Sequence, residues 1–119
     1  IADKDRRTNR MTGGTGRGTA AIVPWAEVCC DTLQSVEAAL GVGGVRSLEL
    51  CSALSEGGLT PSHAFVRSAV RRKRQLYGRH GPEVHVLVRP RAGDFLYSAA
   101  EFHCMLEDAC WAVTPVERG

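Results

Sequence analysis

The chain has 119 residues, 44% of them apolar and 24% charged, with a formal net charge of +2. That composition fits one globular domain, and it gives no basis for nucleic acid or an anionic membrane as partner. No apolar run nears the roughly 20 residues that cross a bilayer, and no signal-peptide core opens the sequence, so secretion is not expected.

Residues 1–24 read as a separate, disordered, basic and Gly-rich tail. They hold Asp, Lys, Arg, Thr and Gly with little to bury. The stretch Gly13-Gly-Thr-Gly-Arg-Gly18 has neither the preceding strand nor the following Lys-Ser or Lys-Thr of a phosphate loop. Ala26 to Asp31 then reads as a strand. Asp31 or Thr32 caps a helix over about Leu33 to Leu40, with Leu33, Val36, Ala39 and Leu40 on one face. Gly41, Gly43 and Gly44 stop it.

A second strand runs from Val45 to Cys51, followed by a loop from Ser52 to Pro61. Ser62 caps a second helix whose apolar face carries Phe65, Val66, Ala69 and Val70. Arg71-Arg-Lys-Arg74 continues it as a solvated face rather than a nucleic-acid patch, since no aromatics interleave it. After a break at Gly78 to Pro82, Glu83 to Arg89 reads as a third strand and Pro90 to Ser98 as a loop. A third helix starts near Ala99 or Ala100, with Phe102, Met105 and Leu106 available for packing. Three strand–helix units predict an α/β fold with parallel strands and right-handed crossovers.

The five cysteines, Cys29, Cys30, Cys51, Cys104 and Cys110, are odd in number and form no C-x-x-C pair. Zinc-ribbon spacing is therefore absent, and reduced thiols are expected, in the cytoplasm or alternatively the nucleus. Alternate residues of a strand share a face. Glu27, Cys29 and Asp31 thus point one way from the first strand, Glu49 and Cys51 from the second, and His85, Leu87 and Arg89 from the third.

Two adjacent strands therefore carry Glu-x-Cys. Strands lie about 4.8 Å apart, and two metal–thiolate bonds of roughly 2.3 Å span nearly the same distance. Cys29 and Cys51 accordingly suit one soft, low-coordinate ion such as Cu(I), although spacing alone favours a pair of inert core thiols. In a closed barrel the staggered layers would set the two sulfurs diagonally.

Glu27, Asp31, Glu49, Arg89, Arg91 and Asp94 fall at or just beyond the predicted strand ends. That is where a barrel keeps its catalytic groups. They suit acid–base chemistry beside an anion clamp, or a structural ion-pair network. Gly57-Gly58-Leu-Thr60-Pro-Ser62 leads into a helix N-terminus, which is either an anion cradle or a tight turn with a Ser cap. His103 and Cys104 diverge on their helix, and His63 and His80 have no evident ligand partner.

From about Glu27 to Asp108 the chain resembles the CutC family of copper-homeostasis proteins. The resemblance rests on Glu27-Val-Cys29 with Asp31, Glu49-Leu-Cys51, Ser55-Glu-Gly-Gly-Leu-Thr-Pro-Ser62, Arg89-Pro-Arg91 with Gly93-Asp-Phe-Leu-Tyr-Ser98, and Glu101-Phe102 with Glu107-Asp108. It implies a (β/α)8 TIM-type barrel, of which residues 25–108 form an N-terminal part and residues 109–119 a divergent tail. It also implies a cytoplasmic protein that binds Cu(I) through two family cysteines, here Cys29 and Cys51.

The alternative is part of a barrel lyase or isomerase acting on a small anionic substrate. Arg89 and Arg91 would then hold the anion, while Glu27 or Glu49 moves protons. Arg46-Ser47 replaces the family's Asp-Arg pair, Ala92 replaces a usual Gly, and the segment between Ser62 and Arg89 is longer than usual. A barrel takes about 250 residues, so three strands leave open edges. A fragment that associates with further copies is the expectation.

Overall fold

The structure, a computed structural model, describes residues 25–114. The tail expected over residues 1–24 and positions 115–119 lie outside the described residues. The elements are β1 (Ala26–Cys30), α1 (Leu33–Leu40), β2 (Val45–Leu50), a 3-10 turn (Leu54–Glu56), α2 (His63–Tyr77), β3 (Glu83–Val86) and α3 (Ala99–Ala112).

Hydroxyl caps start each helix. Thr32 accepts from the Ser35 amide while Ser35 Oγ accepts from the Thr32 amide, so a Ser fills the place usually taken by Glu in a capping box. The Ser62 hydroxyl accepts from Phe65 N at 3.3 Å. Ser98 and Glu101 complete a second reciprocal box. Each cap contributes about 1 kcal/mol by satisfying amides that have no partner within the helix.

The three strands are parallel and lie in the order β1-β2-β3. Sequential order means that each crossover adds the next strand on the same side. Helices then collect on one face, and a single core records it. Val28 and Cys30 of β1, Leu48 and Leu50 of β2, and Val84 and Val86 of β3 meet Val36, Ala39 and Leu40 of α1 and Val66 and Ala69 of α2. Each fully buried Leu or Val contributes about 1.5–3 kcal/mol. The opposite face of the sheet carries the polar side chains.

Three expectations need correction. β3 ends at Val86 rather than Arg89. Beyond it the chain bonds to β2 and a loop instead: Leu87 N donates to Leu50 O, and Arg89 O accepts from Thr60 N. Leu33 is about half exposed at the first turn of α1. Phe102 and Leu106 of α3 are also about half exposed. The α3 side chain that reaches the core is Trp111, which stacks on His63 with ring centroids 3.6 Å apart. Among the described residues no fourth strand lies beside β3 for the Phe102–Leu106 face to cover.

Candidate functional site

The face opposite the helices presents Glu27 and Cys29 from β1, Ser47 and Glu49 from β2 with Cys51 just beyond it, and His85 from β3. An irregularity between Ala26 and Glu27 sets the register, so Glu27 lies beside Ser47, Cys29 beside Glu49, and Glu49 beside His85. Cys29 and Cys51 are therefore not level. Cys51 stands one two-residue step further along, which is the diagonal placement that barrel staggering predicts.

Ser47 is buried, and its hydroxyl donates to Glu27 Oε2 at 2.6 Å. His85 Nδ1 lies 2.6 Å from the same oxygen, and its Nε2 lies 3.5 Å from Glu83 Oε2. The Ser47 hydrogen bond, and then His85, hold the Glu27 carboxyl below its ordinary range. Such a group stays ionised, and with Oε2 already engaged it is a weakened proton acceptor. A depression of about 540 Å³ lined by Trp25, Glu27, Arg46, Ser47, Glu83 and His85 opens here. Glu27 is the second residue of β1. It therefore lies at the N-terminal end of the strands, opposite the rim expected of it from sequence.

All five cysteines are free. Cys30 faces the core, as its alternation predicts, and donates weakly to Val28 O. Cys29 is exposed, and its thiol donates to Glu49 Oε2 at 3.4 Å. That hydrogen bond, reinforced by partial burial, pushes the Cys29 thiol up. Cys51 is 1% exposed and is pushed up to about 11, by burial first and then by the neighbouring Cys29 and Glu49. Both thiols stay protonated at neutral pH until a metal displaces the proton.

Among the described residues no group of three or more His, Cys, Asp or Glu side chains could hold a metal ion. Two free sulfurs on one strand face fit soft, low-coordinate Cu(I) better than zinc or a hard cation, which need more ligands.

Cys51 lies under the loop that follows it. Ser52 and Leu59 pair through two backbone hydrogen bonds of 2.9 and 2.8 Å. The turn between them needs Gly57 and Gly58 at φ 83° and 92°, and holds Ala53 at φ 49°. A Cβ on Gly58 would come 2.7 Å from Leu87 Cδ2, 3.6 Å from Cys51 Cβ and 3.9 Å from Cys51 Sγ. Thr60 Oγ1 accepts from Arg89 N and donates to Arg89 O, while Ser62 caps α2. The Thr60 and Ser62 hydroxyls are thus committed within the protein, as in the tight-turn reading of the sequence.

Arg89 and Arg91 are engaged in the same way. Arg89 Nη1 donates to Glu56 O at 2.7 Å and Gly58 O at 3.0 Å, and Nη2 donates to Gly93 O at 3.1 Å. Its guanidinium also lies 5.2 Å from the Phe95 ring centroid. Arg91 pairs with Glu101 and Asp94 and donates to the carbonyls of Ala92, Asp94 and Leu96. Arg89 therefore ties loop 52–59 to loop 90–98 through carbonyls, and Arg91 ties loop 90–98 to the first turn of α3 through ion pairs. Asp31 is half-buried beyond β1.

Two contributors were not identified from sequence. Ser47 was visible only as a departure from a family pair, and its residue type did not point to the bond with Glu27. Gly58 was visible as half of a Gly-Gly pair, but the thiol it covers was not.

Residues 25–116 match the CutC family. A CutC family protein from Pasteurella multocida is 45% identical over 82 residues, covering 69% of this chain and 30% of that protein. One from Sodalis glossinidius is 48% identical over 86 residues, covering 72% and 31%. The crystal structure of a candidate copper homeostasis protein CutC from Streptococcus agalactiae superposes with a TM-score of 0.63 at 32% identity, over 76% of this chain and 40% of that one. The chain thus spans about three tenths of the length of these curated relatives.

Proposed function

The chain belongs to the CutC family, and on that premise we propose that it is part of a copper-homeostasis protein that binds Cu(I) through the thiolates of Cys29 and Cys51. The observation that carries this reading is the pair of free thiols on one strand face, one exposed and one buried, a single register step apart. Exposed Cys29 is the thiol that solvent-borne or carrier-borne copper meets first. Glu49, which already accepts the Cys29 S–H, is placed to receive its proton. Buried Cys51 supplies a sulfur shielded from water and oxidants. Copper is cargo in this account, and its loading releases both thiol protons.

The setting we propose is cytoplasmic, where thiols stay reduced. No described helix is long and apolar enough to cross a membrane. Association with further copies is also part of the proposal, since β1 and β3 each have a free edge among the described strands and Phe102 and Leu106 are half exposed. The enzyme reading has less support, because Arg89 and Arg91 already donate to loop carbonyls and carboxylates. Anaerobic Cu(I) titration of the reduced chain against a Cys29→Ser/Cys51→Ser variant tests the proposal. One tight equivalent lost in the variant supports it; equal, weak binding by two folded proteins contradicts it.

A further inference from the structure

Cys51 is sealed by a loop whose end is anchored by Thr60 to the main chain of Arg89 and whose crown is held by the Arg89 side chain. We propose that residues 52–59 form a latched cover over the Cys51 thiol and that Arg89 is the latch. The inference rests on the copper reading only for its use, which is control of when the second sulfur becomes available.

Gly58 lies against Cys51: a methyl group there would meet the Cys51 side chain at ordinary contact distance and would press on Leu87. The loop does not rest there by its own local preference, because Ala53 is held in the left-handed region at φ 49°. Two devices keep it closed. The Ser52–Leu59 pair closes its base. Arg89 reaches in from beyond β3 and grips the carbonyls of Glu56 and Gly58 with one nitrogen and that of Gly93 with another. Loop 52–59 and loop 90–98 are thereby fastened to the same guanidinium. Its Nε is buried with no partner, so lifting the loop would also return that N–H to water. Cys29 lies outside the cover and is open to solvent.

The cysteines themselves supply the controls. Cys29 reports an open thiol, and Cys30, buried in the core on the opposite face, reports global unfolding. N-ethylmaleimide modification of the reduced, copper-free chain is followed at each cysteine by mass spectrometry, in the parent and in Arg89→Ala. Loss of three hydrogen bonds from a charged donor predicts that Cys51 reacts at least about tenfold faster in Arg89→Ala while Cys30 stays protected.

Arg89→Lys, a point charge without the planar fork, is expected to fall between the two. Gly58→Ala provides an independent lift of the loop should Arg89→Ala fail to fold. Cys51 accelerating alone supports the latch. Cys51 reacting as fast as Cys29 in the parent, an unchanged Cys51 rate in the folded variant, or Cys51 and Cys30 accelerating together would each overturn it. Because no copper is present, failure of this test is distinct from failure of the copper reading.

Discussion

The stability of the fold depends on alkaline pH through Cys51. Its folded thiol is pushed up to about 11 from a starting value of 9.0, mainly by burial. Burial favours the neutral thiol, so the folded state holds this proton more tightly than the unfolded chain does. The resulting stabilisation is fully present below about pH 9 and is lost as pH rises toward 11. Two pH units at about 1.4 kcal/mol each give roughly 2–3 kcal/mol, of which about 2 is gone by pH 11. For a small domain that is a large share of total stability. Urea denaturation of the parent and of Cys51→Ala at about pH 8 and pH 11 isolates the contribution, because other alkaline titrations are common to both chains. The parent's advantage over Cys51→Ala should shrink by about 2 kcal/mol across that range. An advantage that stays constant would mean that the thiol titrates as though exposed, and the covered site described above would be wrong.

Two further outcomes follow from the same geometry. Ala53→Gly should stabilise the protein by about 0.5–1 kcal/mol, because φ 49° strains an L residue but not glycine; an unchanged or lower denaturation midpoint would show that the turn is not strained. Copper loading should release two protons, because both Cys29 and Cys51 are shifted up. The apparent Cu(I) affinity should then rise about 100-fold per pH unit between roughly pH 6 and pH 8. A tenfold dependence would mean that only one thiolate binds.

Much of this architecture is written locally. The bounds of α1 follow from Thr32 before it and the glycines after it, and the two faces of β1 and β2 follow from strict alternation, which sends Cys30 to the core and Cys29 to the other side. Register is not local. Continued from the Ala26–Val45 pair, the ladder would set Cys29 beside Leu48; the irregularity after Ala26 moves it to Glu49, and no residue type announces it. The role of Arg89 was equally hidden. Its partners are backbone carbonyls of Glu56, Gly58 and Gly93, and any residue could have supplied those. Sequence therefore reads it as a cation at a strand end, either an anion clamp or a member of an ion-pair network.

The contact between Trp111 and His63 was obscured for another reason. Trp111 falls where motif resemblance fades, yet α3 continues through Ala112 and the family match extends to residue 116. Helical periodicity carries the packing there without any recognisable motif.

The central claim is that two thiolates from neighbouring strands, Cys29 and Cys51, share one copper ion. Copper K-edge X-ray absorption on the anaerobic complex at one equivalent of Cu(I) counts and identifies the ligands directly. The account predicts two sulfur neighbours with no nitrogen or oxygen in the coordination sphere, and loss of that signature in Cys29→Ser/Cys51→Ser. Nitrogen or oxygen ligands, or an unchanged spectrum from the double variant, would contradict it.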